Sequence, residues 1–143
     1  MSLSEDLYKD IIIEYSQEPK HFGQPAQAHI HEEGVNRSCG DEVTLHIAIK
    51  DNHIDKVGFT GQGCSISTAS TEMLATVMEG KTVDEARSLI GRFKGMIIDE
   101  KDPQFEGELE DLEALKGVIQ YPIRVKCATL SWNTLEQALA AQS

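Results

Sequence analysis

Positive charge is scarce in this chain: 13 lysines and arginines stand against 24 aspartates and glutamates, a formal net charge of −11 over 143 residues. A nucleic-acid binder needs a basic stripe to displace counterions, and an anionic membrane surface asks for the same, so both classes of partner are excluded. No apolar run approaches the length of a membrane span, and the first ten residues are too acidic and polar for an ordinary signal peptide. The expected setting is the cytoplasm. Cysteine is equally sparse. Three is an odd number, no CxxC pair occurs, and nothing points to a disulfide framework. Internal repeats and domain-sized linkers are missing too. Residues 1–143 are therefore read as one domain, long enough to bury a core without staples.

What is present reads as strands first and most helices later. Ser2 and Glu5 form a capping box ahead of Leu7, Ile11 and Tyr15 at helical spacing, with Pro19 and Gly23 ending that helix. A strand is expected over Ala28–Val35. In Val43–Ile49 alternate residues share one face, and after an Asp51-Asn52 turn a less regular strand covers Ile54–Phe59. Ser65–Met78 predicts a helix closed by Gly80, and Thr82 with Glu85 opens another along Val83, Ala86, Leu89 and Ile90. The segment Asp99–Glu113 carries eight carboxylates against Lys101 alone, and Leu109, Leu112 and Leu115 suggest a short amphipathic helix there. Pro122 suits the first turn of a last helix with Leu130, Leu135, Ala138 and Leu139 on its core side. The fold class is α+β: a small antiparallel sheet of about three strands with helices on one face.

Each cysteine stands at an element boundary rather than within an apolar stripe. Cys39 lies in the turn-forming stretch Asn36-Arg37-Ser38-Cys39-Gly40-Asp41, Cys64 follows Gly61-Gln62-Gly63 and opens a helix, and Cys127 begins the last helix. The latter two positions favour thiolates, because unpaired amides and the helix dipole lie close. Three thiolates with the Asp41 carboxylate would make a tetrahedral site for zinc or an iron–sulfur species, with Gly40 removing a Cβ that would crowd the ion. From spacing alone, this reading and that of small buried hydrophobes both stay open.

Three segments in order, Cys39-Gly40-Asp41, Gly63-Cys64-Ser65-Ile66-Ser67 and Cys127, resemble the IscU/SufU/NifU-type iron–sulfur assembly domain over nearly the whole chain. The resemblance implies an α+β fold with a mobile, exposed site of Cys39, Asp41, Cys64 and Cys127. It also implies a PLP-dependent cysteine desulfurase as partner, SufS-like, and a downstream iron–sulfur scaffold. Two classes share the fold: IscU-type scaffolds that build a cluster, and SufU-type zinc-dependent sulfurtransferases that accept persulfide sulfur and pass it on. Lys126 stands where IscU-type chains have histidine, and Gln120-Tyr121-Pro122-Ile123-Arg124 replaces their Leu-Pro-Pro-Val-Lys stretch. Residues 91–118 match a SufU-type insertion. Arg37 departs from the family's usual proline. By this resemblance Cys39 is the sulfur acceptor, Asp41, Cys64 and Cys127 keep hold of zinc, and Arg124, with less support Lys126, assists the released thiolate or docks the desulfurase. The scaffold, carrying an iron–sulfur cluster in place of zinc, is the first alternative and a structural zinc domain the second. A zinc hydrolase fits poorly, because the motifs hold no spare base.

The five histidines add no metal argument. His46 falls on the polar face of its strand and reads as solvated; His29 and His31 read as surface residues, His21 and His53 as loop residues. The acidic run Asp99–Glu113 reads as a solvated face, with docking to a basic partner as the second option.

Overall fold

A computed structural model describes residues 3–141. Helix α1 (Leu3–Gln17) leads into a three-stranded antiparallel sheet of β1 (Ile30–Asn36), β2 (Asp41–Lys50) and β3 (His53–Gln62), with β2 in the centre. Then follow α2 (Ser65–Met78), α3 (Val83–Asp99), a 3-10 helix (Gly107–Val118) and α4 (Pro122–Ala140). The Ser2–Glu5 capping box lies outside the described residues.

The sheet's inner face is the row that alternation picks out: Val43, Leu45 and Ile47 on β2, beside Val57 and Phe59 on β3. The irregular alternation of β3 has a local cause. Ala48 pairs with Lys56 and Ile49 with Ile54, so Asp55 is an extra residue in a bulge that shifts the register. Helices α2 and α4 lie on the inner face, α1 against α2, and α3 against α4. Trp132 is fully buried, stacked on Phe93 at 3.9 Å between centroids, and donates from Nε1 to Ser70 Oγ at 2.9 Å. Such a stack adds about 0.5–1.5 kcal/mol beyond its buried area. Among the described residues no helix is long and apolar enough to cross a membrane.

Two local signals appear as read. Thr82 and Glu85 make a reciprocal capping box on α3, and Pro122 occupies the first turn of α4. Other readings are corrected. Residues 107–118 wind as a 3-10 helix, and the acidic segment before it is not simply solvated: Arg92 donates to Pro103 O and Gln104 O and lies over the Phe105 ring, with Pro103 and Phe105 buried. Tyr15 Oη donates to Asp111 Oδ2 at 2.7 Å, joining α1 to the same region.

His46 is buried rather than solvated. The chain leaves α1, runs beside β3 through Phe22, and crosses the outer face of the sheet, where a Cβ at Gly58 would collide with Gly23 O and the Pro25 ring. Under that cover His46 meets His31 (Nδ1–Nδ1 2.7 Å) and Thr60 Oγ1 (2.8 Å). Burial, then the neighbouring His31, holds its pKa below the ordinary 6.5. His21 is a loop residue as expected, but a half-buried one bound to Glu72 and Glu79.

Candidate metal centre

The inner row of β2 runs out of apolar residues at its first position. Val43, Leu45 and Ile47 point into the core, and Asp41, in phase with them, has no solvent exposure. Its partner across the ladder is Asn36, the last residue of β1, so the turn is residues 37–40 and not the longer stretch read from sequence. Gly40 has φ +70, which a glycine accepts freely, and nothing lies within 4 Å of where its Cβ would be. Glycine serves the backbone there.

Two further elements close on this turn. Gly63 must be small, since a Cβ would come within 2.9 Å of Asp41 Oδ1. The chain then delivers Cys64, which caps α2: its amide donates to Asp41 Oδ1 at 2.9 Å and its sulfur accepts from Ser67 N at 3.4 Å. Helix α4 crosses β1 at Gly34, where any Cβ would strike Thr134 and Leu130. That close approach lets Cys127 enter the site from the other side.

The result is a compact donor set. Cys39 Sγ, an Asp41 oxygen and Cys127 Sγ all lie within 4.8 Å of one another, with Cys127 Sγ 2.8 Å from Cys39 Sγ. Cys64 stands beside this trio, its sulfur 4.0 Å from Asp41 Oδ2. Cys127 is buried, Cys39 and Cys64 only partly. Cys127 also corrects the expectation of a dipole-favoured thiolate. It lies in the second turn of α4, beyond the free amides, and burial pushes its thiol well up, helped by hydrogen bonds with Cys39, Asp41 and Cys64. In the metal-free protein it is therefore a thiol, and a metal must displace its proton.

Asp41 lacks a counter-charge. Its oxygens take hydrogen bonds from the Cys64 amide and from Asn36 Nδ2, and among the described residues no lysine, arginine or histidine pairs with it. A buried carboxylate without a cation is costly. Arg124 does not fill that place: it is exposed, 4.8 Å over the Tyr121 ring, and Lys126 is exposed as well. Reading the sequence overlooked Asn36. Its available signal was its position opposite Asp41 across a short turn.

Comparison with known proteins agrees with this architecture. The model of the NifU-like N terminal domain matches residues 7–128. The iron-sulfur cluster assembly scaffold protein IscU of Streptococcus pyogenes is 36% identical over 139 residues, covering 93% of this chain and 82% of that one. The zinc-dependent sulfurtransferase SufU of Bacillus subtilis is 34% identical over 136 residues, covering 95% and 91%. The crystal structure of FiSufU from Fervidobacterium Islandicum AW-1 superposes with a TM-score of 0.82 at 39% identity, over 95% of this chain and 98% of that one. Fold, residue order and relatives agree: the chain belongs to the NifU-like N-terminal domain family of IscU and SufU proteins.

Proposed function

We propose that the chain is a zinc-dependent sulfurtransferase of iron–sulfur cluster assembly, taking persulfide sulfur from a cysteine desulfurase and passing it on. The observation that carries the reading is the buried, uncompensated Asp41 carboxylate beside two thiols within 4.8 Å. Sulfur-rich donors with one carboxylate suit zinc, and Cys64 is near enough to complete four ligands. A zinc ion bound there would supply the missing positive charge and keep the thiols ionised. The SufU relative of Bacillus subtilis is named as zinc-dependent. Residues 91–118 are assigned as the insertion that marks this subgroup.

Cys39 is the acceptor in this reading, since it is partly exposed on a short turn while Cys127 is buried in a helix. Its thiolate attacks the outer sulfur of the donor's persulfide. A bond forms from Cys39 Sγ to that sulfur, the donor's S–S bond breaks, and the donor cysteine leaves as a thiolate, with no net oxidation or reduction. Arg124 is assigned to steady the thiolate or the docked desulfurase; Arg124→Ala should keep zinc and fold while slowing sulfur uptake. The proposed setting is the cytoplasm, where thiols stay reduced.

The test is to load the protein from a desulfurase and cysteine and locate the added sulfur by mass spectrometry. Sulfur on Cys39 supports the role; sulfur chiefly on Cys64 or Cys127 rejects it. The similar identity to IscU scaffolds supports a second reading, assembly of a cluster on the same residues. Metal content and the visible spectrum of freshly purified protein separate the two: colourless zinc protein for the carrier, a brown cluster for the scaffold.

A further inference from the structure

The three sulfurs of the site differ in burial and in the N–H groups that face them, and one of those groups belongs to Asn36. Asn36 is 8% exposed, and its Nδ2 lies 3.3 Å from Asp41 Oδ2 and 3.7 Å from Cys127 Sγ. A carboxylate only accepts hydrogen bonds, so the side chain must present its nitrogen and not its oxygen to Asp41, and the Cys127 sulfur, whose own hydrogen is turned to Cys39, lies on that same nitrogen as an acceptor. One NH₂ group carries two hydrogens, one for each neighbour. Cys64 Sγ has a donor of its own in the Ser67 amide. Cys39 Sγ differs: it contacts Cys127 Sγ and, at 4.0 Å, the Ile123 carbonyl, and among the described residues it receives no N–H.

An N–H aimed at a thiolate favours the charged, metal-binding form and draws off the electron density that makes it nucleophilic. An N–H aimed at one lone pair of a carboxylate oxygen leaves the other directed at the metal, as outer ligands do in metal sites. We propose that Asn36 is the positioning residue that divides this site, holding Asp41 and Cys127 as permanent ligands and leaving Cys39 as the sulfur that can be released. The inference rests on the zinc and sulfur-carrier reading above and adds the device that selects among its cysteines. The location is suited to the task, because Asn36 and Asp41 are the ladder pair from which the Cys39 turn springs.

The experiment compares the parent chain with Asn36→Ala, Asn36→Asp and Asn36→Ser. Zinc affinity is measured by competition with a chromophoric chelator, and the relative alkylation rates of Cys39 and Cys127 by iodoacetamide and mass spectrometry. Asn36→Ala should weaken zinc binding about 10–100-fold and, in the zinc-loaded protein where both sulfurs are thiolates, let Cys127 gain on Cys39 in alkylation. Asn36→Asp should be worse, since it sets a further negative charge against Asp41 and Cys127. Asn36→Ser keeps a small donor and should recover part of both properties. Affinity within twofold of the parent with an unchanged alkylation order would overturn the proposal. So would a serine variant no better than alanine, which would mean that Asn36 only fills space. If alanine does not fold, the serine and aspartate variants decide by the same readouts. A parent chain that takes up no zinc overturns the underlying reading and this proposal with it, whereas a parent that binds zinc while its variants behave alike overturns only the role of Asn36.

Discussion

Among the described residues two carboxylates are buried in this acidic chain, Asp41 at 0% exposure and Glu72 at 4%, and they are held in contrasting ways. Glu72 is enclosed by partners that complete it: His21 offers its amide at 2.9 Å and its ring at 2.7 Å, and Thr76 Oγ1 is 3.4 Å away. His21 reaches on to Glu79, whose other oxygen accepts from Val57 N, so the His21 ring bridges two acids and ties the loop after α1 to α2 and β3. Asp41 has amide donors and thiols about it but no cation. One acid is part of a finished structural network. The other leaves a charge uncompensated at a place where ligand atoms converge, and that difference separates a site from a scaffold more sharply than burial does.

Four measurements can break or sharpen this contrast. The largest effect is expected from Cys127→Ala, or equally Cys64→Ala: zinc should fall from near one equivalent towards none. The zinc-loaded Tm should drop by roughly 10 °C or more, as part of the metal's folding energy is lost. Unchanged zinc content in either variant would sink the ligand assignment. Next, Glu72→Ala should cost about 2–3 kcal/mol in urea unfolding, because a charged hydrogen-bond network is opened, with zinc content untouched. Asp41→Asn should act with the opposite sign, stabilising the zinc-free chain by about 1–2 kcal/mol as a buried lone charge disappears, while zinc persists with weaker affinity. Destabilisation of the zinc-free chain by Asp41→Asn would show that the two carboxylates are alike after all.

The smallest effect concerns a buried histidine, His46. Its folded pKa lies below the ordinary 6.5, so the unfolded chain takes the proton first, and stability should decline as pH falls below about 6.5. Replacing it by glutamine should flatten that slope. An unaltered slope would mean that the His31–His46 pair does not report on folding.

Local chemistry made much of this legible. The alternation of Val43, Leu45 and Ile47, the Thr82–Glu85 box, Pro122 at a helix start and Cys64 at another are all decided by residues within a turn or two, and the structure shows each. What sequence did not reveal depends on long-range contact. His46 is buried because a distant segment crosses Gly58, which no strand pattern announces. The Cys127 thiol is governed by its burial, then by its neighbours at the site, and not by the start of its own helix. Asn36 looks like a turn residue until the register sets it opposite Asp41. The donor trio could be named from motifs, but its geometry comes from the small residues Gly34 and Gly63, which set how closely α4 and the start of α2 approach.

The turn bearing Cys39 sets a limit on delivery. Its two ends are clamped by the Asn36–Asp41 pair, and Cys39 is only two residues from Asp41. A fully extended chain spans at most ~3.3–3.6 Å per residue, so the Cys39 Cα can range no further than about 7 Å from that of Asp41 while β2 stays paired. This tether is too short to carry the thiol across an interface into a deep cleft. In the proposed transfer the donor must therefore travel: its persulfide has to ride on an arm long enough to reach a stationary receiver.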